Sequence, residues 1–363
     1  MFRVAEEAKT ANKLREFKTI DIVKRLGVIS PQRLHLKNYP ISNPVTVFNS
    51  SIVMENSIVK VYTRVIFGYY MYVSAIAMFE VDIDDIFSGY ISTCHYSAEL
   101  VVYPDTRYDF WGTEDPRVYR VRDVLFMTYC GRTINYFNPA IRVERTLPVT
   151  ALSKNGRKWK KCCVFTLQKD LRKDVISDKD AFLHLYNNYA FIFHRPHMSD
   201  EKYYLTISKA PVENIDKCIT ETLTNSNQKI EEIEVSNTTT ILEPAKFEEK
   251  LGWATPPIEV GSKEYVVLIH GIDRYIEAYR VFAVLMSFEN GEARIKAVTP
   301  HYIMEPRAMY EVYGDRPYVV FPCGVIKLDN NLVISYGAAD FMIGFGEIDL
   351  SILLSILDKH RLE

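Results

Sequence analysis

"GTEDPRVYRVRDVLFMTYCGR", residues 112–132, reads as two short runs rich in Val, Tyr, Leu and Phe around a polar Arg122-Asp123 turn, the pattern of a β-hairpin. Its unusual chemistry lies at the open ends. An acidic, proline-bearing tetrapeptide precedes the first strand and an arginine closes the second. A hairpin returns the chain to where it began, so both ends face one mouth.

The same unit recurs along the chain as a polar motif, a strand, a polar turn, a strongly apolar strand and a second polar motif. FNSSIV leads through ENS to VKVYTR, and DKDAFLHL through YNN to YAFIFHRP. WATPPIEV leads through GSKE to YVVLIHG, and FPCGVIKL through DNN to LVISYGAAD. The front and rear motifs (Asn49 and Arg64, Asp115 and Arg132, Lys179 and His194, Pro256 and His270, Cys323 and Gly337) stand 14 to 17 residues apart. Repetition at a period of some tens of residues indicates a radial or solenoid architecture. Five such sheets make an all-β, five-bladed β-propeller whose inner strands converge on one axial pocket; a two-domain sandwich is the structural alternative. Residues 41–348 are assigned to the propeller.

Residues 1–40 read as an N-terminal helical extension, from a stripe of Leu14, Phe17, Ile20, Val23 and Leu26 at three- and four-residue steps. Residues 349–363 read as a C-terminal helix. The polar segment 211–249 breaks the rhythm and is expected to be an elaborated blade edge.

Composition excludes several classes. The chain has 363 residues, enough for a large core, and 44 basic against 46 acidic residues leave a net charge of −2. No global field recruits nucleic acid or a membrane surface, and KNGRKWKK (154–161) reads as a solvated blade tip around Asn155-Gly156. No apolar run reaches signal-peptide or membrane-spanning length, so a cytoplasmic protein is expected. The six cysteines form no C-x-x-C pair, so they are expected to be reduced structural thiols without metal. No Gly-rich phosphate loop, Ser-His-Asp order or HExxH occurs.

The pooled motifs carry candidate chemistry. Glu114 and Asp115 are adjacent, and side chains of an extended chain alternate in direction, so one acid at most is expected to face the pocket. Pro116 is expected to hold Asp115 extended, which suits a rigid proton donor as well as a plain strand-entry turn. Arg64, Arg132, Lys179, His194 and Arg195 gather cations at the same mouth, and an acid among cations points to an anionic co-substrate.

Taken together, NPVTVFN (43–49), VYTR (61–64), EDPRV (114–118), DKDAF (178–182), FHRP (193–196), LGWATPPIEV (251–260), LIHG (268–271), VVFPCGVI (319–326) and YGAAD (336–340) resemble glycoside hydrolase family 130, the β-mannoside phosphorylases and mannosidases. The resemblance implies that Asp115 is the sole general acid, protonating the glycosidic oxygen through the mannose 3-hydroxyl while phosphate attacks with inversion. It implies a phosphate site at Arg132, Lys179 and His194, to which Arg195 is added from the same hairpin. Asn49, Arg64 and Asp340 fall at sugar-binding positions, with His270 and Tyr279 completing the pocket. The partners implied are a β-mannoside oligosaccharide and inorganic phosphate, with no cofactor; a homo-oligomer is compatible.

Phosphate is already a nucleophile, so phosphorolysis needs one acid and a cation cradle, whereas inverting hydrolysis needs a second carboxylate to activate water. The expected function is therefore an inverting β-mannoside phosphorylase. A hydrolase using Glu259, Glu277 or Glu311 as base stays open, as does a non-catalytic sugar-binding propeller.

Overall fold

The computed structural model describes residues 1–225, 229–261 and 263–362, and they form five sheets around one axis. From the axis outward, blade one runs Thr46–Glu55, Ile58–Ile66, Ser74–Asp82, Tyr96–Val102 and Leu34–Leu36. Blade two runs Thr113–Val121, Val124–Arg132, Thr146–Ser153, Lys160–Thr166 and Glu231–Glu234. Blade three runs Val175–Tyr186, Tyr189–Met198, Leu205–Pro211, Ser236–Leu242 and Arg3–Val4. Blade four opens with the interrupted pair Glu248–Trp253 and Ile258–Gly261, followed by Glu264–Asp273, Tyr279–Glu289 and Glu292–Val298. Blade five runs Val320–Leu328, Asn331–Ala338, Met342–Asp349 and Val23–Ile29. The five hairpins read from the sequence are the five innermost strand pairs; Ser262, in the GSKE turn, lies outside the described residues.

Each blade buries both faces against its neighbours, which explains why the inner strands read as continuous apolar runs rather than alternating ones. The core is divided accordingly. Tyr62, Ile76, Met127 and Val149 fill the space between blades one and two. Phe126, Phe165, Leu183 and Ile192 lie between two and three, and Phe182, Phe193, Trp253 and Phe282 between three and four. Leu268, Ala283, Ile334 and Ala338 join four to five, while Val333 and Phe345 meet Val47 and Val61 to close the ring.

The N-terminal segment departs from the helical expectation. Only Ala8–Leu14 is α-helical, with a single 3₁₀ turn at Pro31–Arg33, and Phe17 and Ile20 are 47% and 42% exposed, so the stripe is not one face. The open outer edges of blades need partners, and the N-terminus supplies them. Val23–Ile29 pairs antiparallel with Met342–Asp349 and locks the first part of the chain to the last blade. Arg3–Val4 and Leu34–Leu36 add parallel edges to blades three and one. Between them Arg15 is drawn inward, its guanidinium donating to both Glu248 oxygens at 2.5 and 2.8 Å. The segment 211–249 does elaborate the blade edges, with helix Val212–Thr224 followed by outer strands of blades two and three; residues 226–228 of it lie outside the described residues. The closing helix is Leu350–Asp358, whose N-terminus Asp349 caps through the Ile352 amide at 3.1 Å. Among the described residues no helix is long and apolar enough to cross a membrane.

Candidate active site

The innermost strands share a defect. The ladder slips between Phe48 and Ser51, between Glu114 and Arg117, and between Lys179 and Phe182. At each slip one residue has a left-handed backbone: Asn49 with φ 50°, Asp115 with φ 52° and Asp180 with φ 54°. Asn and Asp tolerate that region better than other side-chain-bearing residues. A bulge of this kind breaks the up-down alternation of a strand. Consecutive side chains then face the axis together, and Phe48 with Asn49, Glu114 with Asp115, and Lys179 with Asp180 all line one pocket of about 400 Å³.

This corrects two expectations. Glu114 and Asp115 both border the pocket, and Asp115 is not extended. Its strained backbone is held from behind by Arg117, which is almost wholly buried and donates to the Asp115 carbonyl at 2.9 Å, the Trp253 carbonyl at 3.0 Å and Asp180 Oδ1 at 3.3 Å. One guanidinium thereby ties blades two, three and four beneath the site.

Asp115 Oδ1 accepts from Asn49 Nδ2 at 2.8 Å and from Arg64 Nη1 at 3.1 Å. Its Oδ2 takes no hydrogen bond from the described residues, so one carboxyl oxygen is fixed and the other is available. Asn49 packs so closely on blade five that a Cβ at Gly337 would sit 1.8 Å from Asn49 Oδ1, which fixes glycine in YGAAD.

Glu114 has the opposite role. Its carboxylate is fully buried and accepts from Arg64 Nη2 at 2.9 Å, Arg132 Nε at 2.9 Å, Arg132 Nη2 at 3.1 Å and Lys179 Nζ at 3.2 Å. Burial by itself would raise its pKa, but Arg132, Arg64 and Lys179 outweigh burial and hold it well below the usual carboxylate range. Asp180 is a second anchor, 3.2 Å from Arg195 Nε and 3.4 Å from His270 Nε2. Burial opposes its ionisation and is overcome by Arg195, His270 and Arg117, so its pKa too is lowered. The side chain of Lys179 is 26% exposed, the most accessible of the cations around Glu114.

Of the residues proposed from sequence, Asp115, Arg132, Lys179, Arg195, Asn49, Arg64, Tyr279 and Asp340 line the pocket. His194 does not. One residue along a strand reverses the face, and the imidazole is buried inside blade three with Nδ1 2.7 Å from Asp178 Oδ2 and Nε2 2.7 Å from Ser208 Oγ. His270 is fully buried under the floor, its ring 4.3 Å from Phe321 and 5.7 Å from Tyr279. None of the three glutamates considered as a base borders the pocket. Glu259 and Glu277 are exposed elsewhere, and Glu311 is buried against Arg25 and the Tyr336 hydroxyl at 2.9 and 2.7 Å.

Several lining residues were not singled out from sequence: Glu114 as a charge anchor, Asp180, Tyr72, Tyr136, Phe137, Asp315, Arg316 and Phe321. Tyr136 lies 4.6 Å from the Arg132 guanidinium, and its loop is gathered by Arg145, which donates to the carbonyls of Ile141 at 2.7 Å and Tyr136 at 3.0 Å. The Tyr72 hydroxyl donates to Asp315, and Arg316 stacks on Tyr279 at 4.6 Å.

Two titrating groups report the field. Burial, reinforced by Asp115 and Asp315 and opposed by Arg64 and Arg316, pushes Asp340 up to about 6. Behind Arg195, the Lys250 ammonium lies 4.7 Å over the Tyr203 ring, and burial together with Arg195, Arg316 and Lys179 brings it down to about 8.

Fold and pocket place the chain among the carbohydrate-active five-bladed propellers. The chain belongs to glycoside hydrolase family 130: residues 13–359 match the family described as beta-1,4-mannooligosaccharide phosphorylase. Two similar proteins come from Thermoanaerobacter sp. (strain X514). A beta-1,2-mannobiose phosphorylase is 32% identical over 28% of this chain, a match spanning only 32% of that protein's own length. A 1,2-beta-oligomannan phosphorylase is 25% identical over 69% of this chain and 72% of its own. Among solved structures, the beta-1,2-mannobiose phosphorylase of Listeria innocua, bound to beta-1,2-mannobiose, superposes with a TM-score of 0.68, at 17% identity, over 93% of this chain and 99% of that one.

Proposed function

We propose that the chain is an inverting phosphorylase that cleaves a β-mannoside with inorganic phosphate to give α-mannose 1-phosphate, reversibly. In this reading Asp115 carries the proton on Oδ2 and passes it toward the leaving glycosidic oxygen, by way of the mannose 3-hydroxyl, as the bond to the anomeric carbon breaks. A phosphate oxygen forms the new bond from the opposite face. Asn49 and Arg64 hold the acid, and Asp340 and Tyr279 take sugar hydroxyls. Arg132, Lys179 and Arg195 receive phosphate. His194 is left out of the cradle and His270 acts only through Asp180.

One observation carries the proposal. Glu114 accepts from three cations and Asp180 is ion-paired with Arg195 and Arg117, while Asp115, held through Oδ1 by Asn49 and Arg64, keeps an oxygen that takes no hydrogen bond from the described residues. Charge-assisted contacts from Arg and Lys suit phosphate. The names of the two Thermoanaerobacter relatives agree with the phosphorylase reading.

A hydrolytic reading has one observation of its own. Asp340, raised to about 6, has the pKa that a water-activating base needs. Product analysis by NMR after incubation with β-linked mannobioses decides between them. Phosphate-dependent α-mannose 1-phosphate is expected. Free mannose formed equally without phosphate would replace the phosphorylase by a mannosidase, and sugar binding without turnover of any linkage would leave a binding propeller.

Asp340 also predicts a pH dependence. An acid whose folded pKa stands above the ordinary carboxylate range, here at about 6, holds more protons folded than unfolded in that interval. The native state therefore loses stability as pH rises from about 4 to about 6. The ionised form accepts sugar hydroxyls more strongly, so KM for the sugar is expected to fall across a midpoint near 6. Asp340→Asn is expected to flatten that limb, and a limb unchanged in the variant would transfer the titration to another group.

A further inference from the structure

Three of the six cysteines meet far from the pocket. Cys162 and Cys163 are neighbours on Lys160–Thr166, and in a regular strand they would face opposite ways. The ladder with Thr146–Ser153 slips there: Thr150 pairs with Cys163 while Ala151 pairs with Lys161, which leaves Cys162 as the extra residue of a bulge. Both sulfurs consequently point to one side, 3.8 Å apart. Helix Val212–Thr224 brings Cys218 down onto them, and the three Sγ atoms lie within 4.8 Å of one another. All three residues are fully buried among Phe126, Phe165, Ile192 and Ile215.

The third thiol comes from the segment that interrupts the blade repeat, so the cluster joins an insertion to the propeller. Beside the apolar packing of Ile215, the polar ties from blade two to that helix are peripheral, among them Arg122 to Asp216 at 2.7 Å and the Lys160 ammonium to the Thr222 carbonyl at 3.1 Å. A metal bound to thiolates at about 2.3 Å sets the sulfurs of a three-coordinate site about 4 Å apart; Cys162 and Cys163 stand at 3.8 Å, and all three sulfurs lie within 4.8 Å of one another.

We propose that Cys162, Cys163 and Cys218 form a three-thiolate site for a soft, thiophilic cation of the monovalent copper class, which clamps the inserted helix to blade two. The donor set selects the ion. An all-sulfur site favours soft metals, and among the described residues the group holds no fourth His, Asp or Glu ligand of the kind that structural zinc takes. Binding releases thiol protons to solvent and involves no redox step. The site is structural and independent of the sugar chemistry.

The test uses the full, reduced chain under anaerobic conditions, titrated with monovalent copper against bicinchoninate as competing chelator. One equivalent is expected to bind with a sulfur-to-metal charge-transfer band in the ultraviolet and a higher Tm. Cys218→Ser and Cys163→Ser are each expected to weaken binding by more than about tenfold. Cys94→Ser, at a half-buried cysteine outside the trio, keeps it, and turnover of the sugar is the same with or without copper. Failure of copper to compete with the chelator, undiminished binding in Cys218→Ser, tighter retention of zinc than copper, or a disulfide within the trio by mass spectrometry overturns the proposal. Should Cys218→Ser fail to fold, Cys163→Ser and the unsubstituted chain still decide it.

Discussion

Asp115→Asn is expected to lower phosphate-dependent cleavage by about a thousandfold, within the usual contribution of a positioned general acid, while sugar binding by calorimetry changes little. The substitution is nearly isosteric. The amide oxygen still accepts from Asn49 and Arg64 as Oδ1 does at 2.8 and 3.1 Å, and Arg64 keeps Glu114 as its counter-charge. What disappears is a transferable proton on the oxygen that takes no hydrogen bond from the described residues. An activated aryl β-mannoside, whose leaving group needs no protonation, therefore separates the possible roles. The variant is expected to retain far more of its rate on that substrate than on a mannobiose. Parental rates on mannobiose would remove Asp115 from the mechanism. An equal loss on both substrates would make it a binding residue.

The architecture was legible because a hairpin repeated five times constrains topology more than any single strand does. Period and apolarity sufficed to order the blades, and EDPR, the arginine of HRP and the aspartate of YGAAD fell at the axial mouth as their positions implied. The details that the sequence hid are those of backbone geometry. Nothing in "EDPR" announces that Asp115 adopts φ 52°, yet that one torsion turns both Glu114 and Asp115 inward and converts an apparently redundant acid into the anchor of the cations. The error at His194 has the related cause that a one-residue offset on a strand exchanges the axial face for the interior of the blade. In Arg15 and Val23–Ile29 the failure was one of tertiary override, because an unpaired blade edge and a buried glutamate outweighed a weak helical stripe. The cysteine trio was hidden twice over, by a bulge and by a helix distant in sequence.

Glu114→Gln is the second large effect, and it tests whether the buried carboxylate builds the phosphate site or merely neutralises it. Three cations share this group, and the glutamine amide would turn a donor toward at least one of them. Breaking a buried ion network by removing one partner costs about 3–5 kcal/mol, so a Tm lower by several degrees is expected. The released Arg132 and Lys179 also lose the contacts at 2.9 to 3.2 Å that aim them. KM for phosphate is then expected to rise about tenfold or more, the equivalent of one charge-assisted hydrogen bond, with a smaller change for the sugar. Lys179→Ala, at the most exposed of the three cations, is expected to raise the phosphate KM comparably while leaving Tm nearly unchanged. His194→Ala is expected to do the reverse, because its hydrogen bonds end on Asp178 and Ser208 inside the blade. If Glu114→Gln instead tightens phosphate binding, the carboxylate is a competitor for the same cations, and the cradle is organised by Asp180 and Arg195 alone.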